Sequence, residues 1–68
     1  MTSERTAAAL ERLQKAFSRL RPIERDVLAL SAGERLSNEQ ISRRLGIGVR
    51  RVERLLASAL RKFDRLLD

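Results

Sequence analysis

The sequence predicts an all-α fold: four helices, the last two forming a C-terminal helix-turn-helix. Three observations predict it. Ala, Leu, Arg and Glu dominate while the only aromatics are two phenylalanines, so helix propensity is high along most of the chain. Apolar residues recur at alternating three- and four-residue steps rather than every second position. The punctuation is that of helix ends: Pro22, a Ser37…Gln40 capping box, and glycines at 33, 46 and 48.

The first helix is expected over 3–20. Thr2 or Ser3 can cap it, and Leu10, Leu13, Phe17 and Leu20 form one stripe. The first few residues are expected to fray. Pro22 pushes Arg21 out of the helical region and opens a second helix, 22–32, with Ile23, Val27, Leu28 and Leu30 inward. Gly33 fits a left-handed cap after it. "SNEQ" opens a third helix, 38–45, that stops at Gly46. A fourth runs over 49–66. No linker, repeat or low-complexity tract divides the chain, so residues 1–68 read as one small domain.

A short helix, a glycine turn and a longer helix form a helix-turn-helix plan, here 38–58. With Asn38 as the first position, the two helices must touch through positions four, eight, ten, fifteen and eighteen. These are Ile41, Leu45, Ile47, Val52 and Leu55, all apolar. The fifth position must be small and is Ser42; the ninth must accept a left-handed backbone and is Gly46. A generic helical hairpin meets some of these demands, so the outer face has to decide between the two.

That face is basic. The chain has 15 Lys and Arg against 9 acids, a net charge of +6, and all the cations but Lys15 and Lys62 are arginine. Between Ile41 and Lys62 the only acid is Glu53, whereas cations and acids nearly balance before Ile41. Such asymmetry marks a binding face, and arginine suits phosphates and guanine edges. Double-stranded DNA is the expected partner; a basic surface kept for solubility or for an acidic partner protein is the alternative. In a helix-turn-helix the second helix enters the major groove, its N-terminal residues against base edges. The outward residues there are Val49, Arg50, Arg51, Glu53, Arg54, Ala57 and Ser58. Glu53 either accepts from cytosine or pairs with Arg50 or a neighbour one turn along to hold the arginines in place. Arg43 and Arg44 end the third helix, as backbone contacts or as charges favoured by the helix dipole. Ser37 and Gln40 serve capping first and a phosphate second.

Other classes are disfavoured. Without His, Cys or Tyr, a glycine-rich phosphate loop or a pocketed carboxylate pair, neither an enzyme, a small-molecule substrate nor a cofactor or metal is expected. The apolar runs are too short to span a bilayer and no signal peptide is visible, so a cytoplasmic location is expected.

The residues from about Leu10 to Leu67 resemble region 4 of the sigma-70 family, in its extracytoplasmic-function class. "LRPIERDVL" matches that family's pattern through Pro22, Arg25, Val27 and Leu28, and "LSNEQISRRLGI" through its cap and Leu-Gly-Ile. The tail "RVERLLASALRKFDRLL" is similar to the iron-uptake (ferric-citrate) type through Val52, Glu53, Ala59 and Leu60. Departures are Gln40 for glutamate, Ser42 for alanine, Gly48 for a serine cap, and Leu55 at a place where many members are polar. Nothing resembling region 2 is present, so a domain of a larger factor and a stand-alone sigma-like protein both remain open. The resemblance implies reading of the promoter −35 element by Arg50, Arg51, Glu53 and Arg54. It also implies docking on the flap of the RNA polymerase β subunit through apolar surface of the first helices, and surfaces that an anti-sigma protein covers.

Two alternatives stand beside it. A small autonomous regulator like the LuxR-type output domain would dimerise through the last helix, whose Val52, Leu56, Leu60, Phe63 and Leu67 form a stripe flanked by Leu55, Ala59 and Leu66. The same stripe is also explained, and more simply, as packing on the first and second helices within one domain. A sigma mimic that binds an anti-sigma protein or a polymerase subunit without reading DNA is the other.

Overall fold

The computed structural model describes residues 4–67, and their side chains as far as 65. The caps proposed at Thr2 and Ser3 lie outside the described residues, and Leu66 and Leu67 of the stripe outside the described side chains. Four α-helices follow one another: α1 Glu4–Ser18, α2 Pro22–Leu28, α3 Asn38–Leu45 and α4 Val49–Leu67. No strand occurs among the described residues. None of their helices is long and apolar enough to cross a membrane.

Proline sets the first boundary. Arg21 is extended (φ −65°, ψ 153°), as a residue before proline must be, and Pro22 takes the first turn of α2, where no amide donor is needed. Beyond Leu28 the ladder widens into a π-helical turn, Ala29–Gly33. The Glu34 N–H bonds back to the Ala29 carbonyl at 3.1 Å and the Leu36 N–H to that of Leu30 at 3.0 Å. The wider register delays the reversal. Arg35 (φ 57°), not Gly33, is therefore the left-handed residue, correcting the cap expected at Gly33. A side chain there costs about 1 kcal/mol.

The core is a cluster of Val27, Leu30, Ile41, Val52 and Leu55, with Ile23, Leu36, Leu45, Ile47 and Leu56 packed against it. It joins α2, the π turn, α3 and α4. Helix α1 packs on α4. The buried residues at that end are Ala16, Leu20 and Ala59, and Phe17 meets Phe63 edge-on, ring centroids 6.4 Å apart. The stripe of α1 is mostly open: Leu10, Leu13 and Phe17 are 51%, 42% and 38% exposed, and only Leu20 is buried. Overall extents of 41 × 24 × 15 Å leave no third layer to cover that side.

Candidate nucleic-acid interface

The turn between α3 and α4 is built residue by residue. Ser37 and Gln40 cap α3 reciprocally: the Gln40 N–H donates to Ser37 Oγ at 3.2 Å, and the Ser37 N–H to Gln40 Oε1 at 2.8 Å. At the other end Gly46 is left-handed (φ 68°). Its N–H and that of Ile47 both reach the Ser42 carbonyl, at 2.9 and 3.2 Å, closing the helix with a left-handed cap whose carbonyl is shared by two donors. The Ser42 hydroxyl then donates to the Ile47 carbonyl across the turn. Smallness alone was expected of Ser42; its hydroxyl adds a tie that alanine lacks. Ile41, Val52 and Leu55 are buried, and Leu45 and Ile47 half-buried, around this turn.

Helix α4 starts with the Val52 N–H on the Gly48 carbonyl at 3.1 Å. Its first turns present Arg50, Arg51, Glu53, Arg54 and Ala57 to solvent, with Val49 half-buried. Among the described residues the ion pairs are Arg21–Glu24, Arg44–Glu34 and Lys62–Glu24. Glu53 therefore does not hold Arg50 in one, and the α4 arginines are free to meet an anion. Arg43 and Arg44 are exposed at the end of α3, with Arg44 loosely paired to Glu34 at 4.0 Å.

Ser58 faces elsewhere. Half-buried, it donates to Oε2 of Glu24 at 2.7 Å. Glu24 is wholly buried, and its Oε1 accepts from Lys62 Nζ at 2.7 Å and from the Arg21 N–H at 2.8 Å. Burial alone would raise its pKa; the hydrogen bonds from Lys62, Ser58 and the Arg21 amide, with the lysine's charge, overcome this and hold it at about 2. This node clamps α4 to the first turn of α2 and so fixes how the arginine face is aimed. A glutamate three residues into a helix opened by proline signals a cap, which is half of the node. The partners far along the chain give no local sequence signal.

A second surface is apolar. Two open concavities of about 400 and 490 Å³ flank Phe17 and Phe63. Leu10 and Leu13 line the first, and Leu28 and Leu60 the second. Arg25 also lines the first, and its Nε is buried without a hydrogen-bond partner.

Compared with known proteins, residues 10–63 match the family model described as "Sigma-70, region 4". No match was found among curated proteins or solved structures.

Proposed function

Because this chain belongs to the sigma-70 region 4 family, we propose that α4 reads the −35 element of a promoter through Arg50, Arg51, Glu53 and Arg54. The family itself binds DNA and works with RNA polymerase in transcription initiation; it is a regulatory rather than a catalytic family. The observation that carries the reading is the exposed arginine face on a helix whose entry angle the Ser42–Gly46–Ile47 turn pins. Arginine forks onto guanine edges, and Glu53, with no cation within ion-pair reach among the described residues, accepts from cytosine. Val49 and Ala57 permit close approach, while Arg43, Arg44 and the capped N-terminus of α3 at Ser37 and Gln40 face the backbone. Ser58 drops out of the contact set, its hydroxyl being committed to Glu24.

A protein partner is favoured by the open apolar surface of α1 and α4. Isolated exposed leucines are ordinary, but Leu10, Leu13, Phe17 and Leu60 gather around two concavities. This surface is proposed to dock the flap of the polymerase β subunit, with an anti-sigma protein as competitor. The extracytoplasmic-function class, of the ferric-citrate type, is proposed on the α4 residues Val52, Glu53, Ala59 and Leu60.

Fluorescence anisotropy with a −35-type duplex and a scrambled one, over a series of salt concentrations, tests the DNA reading. Binding should fall steeply with salt and favour the promoter duplex. Absence of salt-dependent binding to either duplex would refute it.

A further inference from the structure

The arginine face of α4 continues past the part that can reach base edges. Arg50, Arg54, Arg61 and Arg65 recur at helical steps with Ala57 among them, and all are exposed. At 1.5 Å per residue, Arg61 and Arg65 lie about 16 and 22 Å beyond Arg50 along the axis. The major groove is only about 12 Å wide. A helix seated by its first turns therefore carries these two side chains beyond the reach of the base edges.

We infer that Arg61 and Arg65, beside Ser58 and Lys62, form a second anion-contact surface that grips the phosphate backbone of the same duplex. The four residues line a recess of about 230 Å³. Lys62 is matched by Glu24 at 2.7 Å, so the uncompensated charge comes from the two arginines, neither of which is ion-paired among the described residues. The acid next to them in sequence, Asp64, lines the apolar concavity on the other flank with Leu60 and Phe63. Among the described residues, no acid lines the recess. Its occupant follows from continuity: the recess borders the arginine line of the reading face, so a duplex held there runs past it. Phosphate oxygens meet the arginine forks, and no base is read.

This inference rests on the DNA reading above, and the test separates the two. Wild type, Arg61→Gln/Arg65→Gln and Arg61→Lys/Arg65→Lys are titrated with promoter and scrambled duplexes across the salt series, with circular dichroism to verify folding. The glutamine variant should show a log–log salt slope shallower by about 1.8, two phosphates' worth. Its affinity should fall by the same factor for both duplexes, leaving their ratio unchanged, and the lysine variant should restore most of the slope. An unchanged slope in the glutamine variant, while wild type binds with salt dependence, overturns the backbone grip and leaves the DNA reading standing. No salt-dependent binding by wild type overturns both. If polyglutamate binding is lost in the glutamine variant and the DNA slope is kept, the surface belongs to an acidic protein instead.

Discussion

Ser58 and Glu24 are 34 positions apart in the chain and share a 2.7 Å hydrogen bond. With Lys62 on the same carboxylate, it ties the middle of α4 to the opening turn of α2. The packing of the arginine-bearing helix on α2 thus runs through a buried carboxylate.

Glu24→Ala should destabilise the protein by about 2–3 kcal/mol, since it removes charge-assisted hydrogen bonds and half of a helix cap together. Lys62 is 40% exposed and rehydrates, which keeps the loss below that of a fully interior pair. Ser58→Ala should cost about 1 kcal/mol, because Glu24 retains its other donors. Urea unfolding measures both, and equal losses would contradict this division of labour.

The same carboxylate predicts an acid limb in the stability profile. Its pKa is lowered from 4.5 to about 2 on folding, so its contribution is complete above about pH 4.5. It is lost as pH falls toward 2, where the folded protein too takes up the proton. The slope has this sign because the unfolded chain binds the proton first. Thermal melts between pH 2 and 6 should show this loss, and Glu24→Gln should flatten it.

The glycines should respond oppositely to alanine. Gly46→Ala strains a left-handed residue and should cost about 1–2 kcal/mol, although a Cβ there meets nothing within 4 Å. Gly33→Ala, in a helical turn with equally open space, should be neutral or stabilise by about 0.4–1 kcal/mol. A pair of melting curves checks the signs.

On DNA the arginines should separate by role. Arg51→Ala or Arg54→Ala should cost about 1–3 kcal/mol on the promoter duplex and relax the preference over a scrambled one. Arg43→Ala should weaken both duplexes alike and lower the salt slope by about 1. Competition titrations read both quantities. Uniform weakening by Arg51→Ala would reassign it to the backbone.

Much of the fold was readable because it is governed by local rules. Pro22, the Ser37…Gln40 box and Gly46 bound helices by backbone chemistry confined to a few residues, and the spacing of Ile41, Val52 and Leu55 follows helical geometry. Failures came where distant contacts or ladder register decide. A π turn moved the left-handed residue to Arg35, and nothing in "ALSAGERL" announces an i→i−5 bond. The stripe of α1 is visible in the spacing, but which of its residues stay uncovered is set by how α1 packs on α4. Ser58 was placed outward by its neighbours in sequence, while a carboxylate on α2 turned it in. Of the candidate interface, the exposed arginines were legible from periodicity and charge; the node that aims them was not.

Helix α4 belongs to both surfaces: its first turns bear the arginine face, and its later turns carry α1 and the apolar concavities. One helix thus backs both the proposed reading face and the proposed docking surface. Thermodynamic linkage makes any coupling between them symmetric: whatever factor a docked protein adds to DNA affinity, DNA adds to the docked protein's.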